Sequence, residues 1–202
     1  MRILLIGEFS RLHNSLKEGL KELGHEVLLV STQDGFKGFP TDLNYQPKFF
    51  NRKPMHWLAK AIYQITAVNL VQIESAWRFK RILPKLKDFD VVQLINENSI
   101  KTDPDREIKL ISKLAGQNKK LFLLSCGADY SSVKFGMDKG FRYSIMTPFL
   151  NGEVDKKKYS FILRYLKPPY KRLHDFLFET VSGVIATDLD YHLPLVHHKK
   201  YL

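Results

Sequence analysis

Cysteine is almost absent from this chain of 202 residues, where Cys126 stands alone. One thiol can neither close an internal disulfide nor build a cysteine zinc site, and its isolation favours a reducing, cytoplasmic setting. Long apolar runs are missing as well. The run Ile3 to Ile6 is interrupted by Gly7 and Glu8, far short of the ~7–15 residues of a signal segment or the ~20 of a membrane span. The chain therefore reads as soluble, or at most peripheral on the inner face of a membrane. Glycine is sparse where phosphate chemistry would need it. Neither G-x-G-x-x-G nor G-x-x-x-x-G-K-[ST] occurs, which disfavours a dinucleotide cofactor and a P-loop NTPase, so no cofactor is expected. The seven histidines are scattered apart from His197-His198, and adjacent residues point in different directions, so no metal site is expected. Acid is also short: 21 Asp and Glu face 32 Lys and Arg, leaving +11. That excess makes an anionic partner worth considering, whether phosphate, membrane surface or nucleic acid.

What is present is the usage of an ordinary folded domain, with 44% hydrophobic and 26% charged residues. Residues 2–6 read as a buried strand. Ser15 with Glu18 forms a capping box, Leu16, Leu20 and Leu23 share one helical face, and Gly24 closes that helix before the strand 26–31. The pattern returns in a strand over 90–95 and a helix capped by Asp103 and Pro104, carrying Ile108, Ile111 and Leu114, and ending at Gly116. A strand over 121–125 follows. A last helix presents Leu173, Phe176, Leu177 and Val181, with Gly183 as its cap before the strand 184–187. Residues 57–87 read as helical, either one long helix or two. Residues 33–57 and 128–170 have no clean period. Five apolar strands alternating with helices imply an open parallel sheet covered on both faces, a three-layer α/β/α arrangement in one domain over residues 1–202.

In such a sheet ligands lie beyond the carboxyl ends of the strands, where helix N-termini converge. The candidate loops are 7–14, 31–38, 96–103, 126–132 and 187–192. Gly7-Glu8-Phe9-Ser10, with Asn14, is either a ligand loop or a polar lead-in to a helix. Asn96-Glu97-Asn98 either grips hydroxyls or caps a turn. At Cys126-Gly127-Ala128-Asp129, Gly127 admits a ligand to the backbone, and Asp129 either accepts hydroxyl hydrogen bonds or acts as a base, or else serves as an Asx turn or N-cap. Cys126 has no His assigned to activate it and reads as a buried small side chain. Positive charge gathers late, in Lys156, Lys157, Lys158, Arg164, Lys167, Lys171 and Arg172 interleaved with Tyr159, Phe161, Tyr165 and Tyr170. Rings among cations suit a membrane interface, and suit single-stranded nucleic acid less well; a solvated face is the alternative.

Several short stretches resemble the N-terminal domain of GT-B glycosyltransferases, most of all the retaining group called family four. They are the opening Met1 to Gly7, the turn Leu20-Lys21-Glu22-Leu23-Gly24-His25-Glu26-Val27, Phe89-Asp90-Val91-Val92, Cys126 to Asp129, and Ser182 to Thr187. Gln93 stands where a His is frequent, and Cys126 replaces another. The resemblance implies a Rossmann-like acceptor-binding half of an enzyme of cell-envelope polysaccharide synthesis. Gly7, Glu8, Phe9, Ser10, Asn14, Asn96 to Asn98, Gly127 and Asp129 would then line a cleft for a glycan or lipid-linked acceptor. A nucleotide-sugar would bind only with a second domain, and the chain alone would transfer no sugar.

Overall fold

The structure, a computed structural model, describes residues 1–202. In chain order its elements are β1 (Arg2–Ile6), α1 (Leu12–Glu22), β2 (Glu26–Ser31), β3 (Leu43–Asn44), α2 (Met55–Thr66), α3 (Leu70–Ile82), β4 (Val91–Leu94), α4 (Pro104–Gly116), β5 (Lys120–Ser125), α5 (Tyr130–Met137), α6 (Thr147–Leu150), α7 (Ser160–Leu163), α8 (Pro168–Thr180), β6 (Gly183–Ala186) and α9 (Leu189–Leu195). The strands form one six-stranded sheet in the order β3-β2-β1-β4-β5-β6. Every pairing is parallel. The fold is α/β and Rossmann-like, as the alternation of strands and helices implies. The strand not foreseen is β3, whose two residues pair with Val30 and Ser31 and are too few to show a period.

Successive side chains of a strand point to opposite faces, and the sheet buries both. Leu4 and Ile6 of β1, with Val92, Leu94, Leu123 and Val184, meet Phe79 of α3, Ile111 of α4 and Leu173 and Leu177 of α8 in the main core. Ile3, Leu5, Val27 and Leu29 point the other way, onto Leu16 and Leu20 of α1. Each such side chain contributes about 1.5–3 kcal/mol by leaving water, which explains why the central strands carry no polar alternation.

Local chemistry sets the ends of the helices. Gly24 (φ 79) closes α1 while its N–H and that of His25 bond the carbonyls of Lys21 and Leu20, a Schellman motif. The capping box expected at Ser15 does not form, because α1 begins one turn earlier, at Leu12. There Glu8 Oε2 accepts from Asn14 N at 2.9 Å, taking the place of an N-cap side chain, and Glu18 pairs with Arg11 instead. At α4, Asp103 caps Arg106 N as expected and Pro104 opens the helix. The 57–87 pattern resolves into α2 and α3, broken where Ala67 turns left-handed (φ 57) and Asn69 caps Gln72 N. Gly183 is not a helix cap but a strand residue: a Cβ there would lie 2.6 Å from Leu202 Cδ1. The aperiodic stretch 128–170 holds α5, α6 and α7 around Val133, Met146 and Ile162. These helices are too short for a 3.6-residue repeat to show.

Candidate functional site

The carboxyl ends of β1, β4 and β5 carry a concentration of polar and acidic side chains with little exposure. Glu8, Asn96, Glu97 and Asp129 are all buried. Around them the chain must turn sharply. Gly7 sits at φ 88, where a Cβ would fall 2.3 Å from Ile95 Cγ2. The space that glycine leaves is therefore taken by Ile95 and not by a ligand. Phe9 packs beside Ile95, Leu124, Cys126 and Ile185, covering the apolar floor between the strand ends, and Lys101 Nζ lies 4.7 Å from its ring centroid.

Glu8 is split between two tasks. Its Oε2 caps α1 and accepts from Asn14 Nδ2 at 2.5 Å, whereas its Oε1 is buried with no hydrogen-bond partner. Asn96, on the adjacent strand end, likewise buries an Oδ1 without a partner. Gly127 (φ 67) is exposed, and a Cβ built on it would meet only Asn96 Nδ2, at 3.9 Å. The space over Gly127 is thus bordered by the Asn96 amide nitrogen. Ser10 lies at the rim: its N–H donates to Asp34 Oδ2 at 3.0 Å, and its hydroxyl accepts from Lys37. Burial works against the Asp34 charge, but the Ser10 N–H and the Lys37 and Lys101 ammonium groups outweigh it and hold that carboxyl below its ordinary range.

Two candidates perform structural work. Asp129 caps α5, accepting from Ser132 N at 2.7 Å and from the Ser125 hydroxyl at 2.5 Å. Asn98 donates to Thr102 O and to Glu107 Oε2, fixing the turn before α4. Glu97 is placed differently. Its Oε1 lies 2.6 Å from His174 Nδ1 of α8, and burial raises its pKa despite that contact. His174 is held between the rings of Tyr130 and Phe178 and reaches the edge of a surface depression of about 530 Å³ that Lys171, His198, Lys199 and Lys200 also line.

Cys126 is buried and bonds Ile95 O. Burial and the nearby acids Asp129, Asp188 and Glu8 push its thiol up to about 12, so no nucleophilic thiolate is on offer near neutral pH. No group of three or more His, Cys, Asp and Glu side chains is placed to hold a metal ion. Sequence reasoning passed over His13, which donates from Nδ1 to Gly7 O at 2.8 Å and meets Gln93 Nε2 at 3.2 Å. It also passed over His174, whose position inside a helix carries no signal. Lys101 and Asp188 fall in loops chosen from topology, without being singled out there.

The basic segment is only partly free. Lys171 pairs with Asp175, and Arg172 with Asp105. Arg164 stacks on Tyr165 and Tyr170. Lys156, Lys157, Lys158 and Lys167 stand exposed.

No family model matches this chain, and no curated protein matches it. A solved structure similar to it is the 3-alpha-hydroxysteroid dehydrogenase from Pseudomonas sp. B-0831 complexed with NADH, at 12% identity and a TM-score of 0.44, covering 97% of this chain and 86% of that one. A likeness so distant carries no argument about chemistry. The expected kinship with GT-B glycosyltransferases, and with it an acceptor-binding role in polysaccharide synthesis, is corrected. The motifs behind it match no family model and no curated protein. The physical reason lies in the motifs themselves. The Leu20 to Val27 turn is a Schellman cap, Asp129 is an N-cap and Gly183 is a packed strand residue, devices open to any α/β domain.

Proposed function

We propose that this chain is a small-molecule-binding α/β module. Its ligand enters among the strand ends and donates hydrogen bonds, from hydroxyl or ammonium groups, to Asn96 Oδ1 and Glu8 Oε1. The observation that carries this reading is the pair of buried acceptors without partners on adjacent strand ends. Each such atom costs about 1–3 kcal/mol when left unmade, and native proteins leave few of them. The acids around Cys126 favour a donor-rich ligand, in contrast with the +11 of the whole chain. The high thiol pKa makes Cys126 unsuited to act as a nucleophile beside that ligand. No helix is long and apolar enough to cross a membrane. The lone buried thiol supports placement in a reducing, cytoplasmic compartment.

The test is a thermal-shift and amide-NMR screen of polyols, sugars and primary amines against the whole chain. At least one class should raise Tm and shift the amides of Glu8, Asn96 and Gly127. A screen that moves none of these, together with a crystal structure placing only water on both orphaned oxygens, would remove the reading.

A further inference from the structure

Helix α2 is oriented unlike the other long helices of the domain. Ala59 is its one buried residue, with the half-buried Met55 and Ile62 on the same side. On an adjoining exposed flank Trp57, Ala61 and Ile65 recur at i, i+4 and i+8 with Leu58 beside them. Trp57 is 60% exposed, Leu58 49% and Ile65 84%. A surface helix of a globular protein turns such a stripe inward and a polar stripe outward. Here the outward stripe is apolar, Val68 continues it past the helix end, and Phe49 stands exposed before it. Contiguous apolar surface of this kind marks a contact with another body.

The surrounding charge identifies that body. From Leu43 to Ile73 there is no Asp or Glu, while Lys48, Arg52, Lys53 and Lys60 are exposed. Lys60 Nζ lies 5.8 Å from the Trp57 ring centroid, at the border of the apolar stripe. The helix also adjoins the late basic segment, since Tyr63 is close enough to Arg164 and Tyr170 to act on both electrostatically. Earlier in that segment Lys156, Lys157 and Lys158 are exposed, and Phe161 is 56% exposed.

We propose that α2 lies flat in the interface of an anionic lipid bilayer. Trp57, Leu58, Ala61 and Ile65 enter the acyl boundary, while Arg52, Lys53 and Lys60 meet lipid phosphates. An apolar stripe bordered by cations is the composition of an interfacial helix, and each Lys or Arg held near anionic lipid strengthens the attachment. A second copy of this chain fits less well, because pairing these faces would bring two basic surfaces together on a chain of charge +11. Nucleic acid leaves Leu58 and Ile65 without a counterpart. The surface is separate from the strand-end acceptors, so either reading stands without the other.

The experiment uses the full chain carrying Trp77→Phe, which leaves Trp57 as the sole tryptophan. The probes are vesicles of phosphatidylcholine, alone or mixed with phosphatidylglycerol. Binding is expected only to the mixed vesicles, with a blue shift of Trp57 emission and quenching by brominated acyl chains. Ile65→Ser, at a site too exposed to affect folding, should weaken partitioning at least about tenfold. The proposal is overturned by no binding, by binding that leaves Trp57 emission unmoved, or by Ile65→Ser binding as tightly as its parent. A blue shift that develops with protein concentration in lipid-free solution would instead assign the face to a second copy. A shift on adding oligonucleotide would assign it to nucleic acid.

Discussion

His13 ties the first loop to the sheet, and its protonation gives a quantitative handle on the strand-end architecture. The ring is buried, and its Nδ1–H can only donate to Gly7 O, so in the neutral form Nε2 accepts from the Gln93 amide. Protonation would place a second N–H against the Gln93 amide hydrogens in a site shut off from water. Burial, partly offset by the Gly7 carbonyl, accordingly lowers the pKa from 6.5 to about 4. The unfolded chain binds the proton more tightly than the folded one. The stabilisation is therefore fully present above pH 6.5 and is lost as pH falls from there towards 4. At ~1.36 kcal/mol per pKa unit the whole window amounts to about 3 kcal/mol, of which about 2 kcal/mol is lost between pH 7 and pH 5. For a chain of this length that corresponds to roughly 4–8 °C in Tm. The assay is urea unfolding at both pH values for the parent and for His13→Asn, whose amide can keep the bond to Gly7 O but does not titrate. The variant should be weaker at pH 7 and should lose about 2 kcal/mol less than the parent on acidification. Parallel pH curves, or an imidazole that titrates near 6.5 in the folded protein by NMR, would refute the reasoning.

Other substitutions probe neighbouring parts of the same loops. Gly7→Ala combines a left-handed backbone with a Cβ 2.3 Å from Ile95 Cγ2; it should cost about 2–4 kcal/mol by denaturant unfolding, and a neutral result would contradict the packing described. Asp129→Ala removes the α5 cap and leaves the Ser125 hydroxyl without its partner. It should lower stability by about 1–3 kcal/mol, whereas a ligand-binding defect with unchanged Tm would show that the cap is not its role. Glu107 is fully buried and accepts from Ile100 N at 2.6 Å, Thr102 N at 3.2 Å and Asn98 Nδ2 at 3.0 Å. Glu107→Gln can satisfy the donors on one oxygen only, so the amides of residues 100–102 should lose hydrogen-exchange protection with a stability loss of about 1–3 kcal/mol.

The sheet was legible because parallel strands buried on both faces spell themselves as continuous apolar runs, and β1, β2, β4, β5 and β6 all do. The strand β3 was not, since two residues beside Asp42 have no pattern of their own. Helix α1 shows how a local signal loses to a tertiary one: Ser15 and Glu18 have the spacing of a capping box, but Glu8 reaches Asn14 N from outside the helix and starts it earlier. Loop positions around the site followed from topology, as Glu8, Asn96, Glu97 and Gly127 all lie at strand ends. What each does there was not legible. Whether Asp129 caps a helix or meets a ligand depends on where the Ser125 hydroxyl points, and the pairing of Glu97 with His174 joins residues 77 apart. The glycosyltransferase resemblance failed on similar ground, because its motifs are turn chemistry that many α/β chains share. The exposed apolar flank of α2 went unnoticed because its apolar period is genuine, and a sequence does not show which side of a helix meets the core.

The claim of a ligand at the strand ends rests on Glu8 Oε1 standing free while Oε2 holds α1, and Glu8→Gln separates the two. Glutamine can keep its oxygen on Asn14 and turn its NH₂ toward the ligand, replacing an acceptor with a donor. Calorimetric titration with whichever polyol or amine stabilises the parent should show affinity reduced about 10- to 100-fold, with little change in Tm of the free protein. Unchanged affinity in Glu8→Gln would contradict the account.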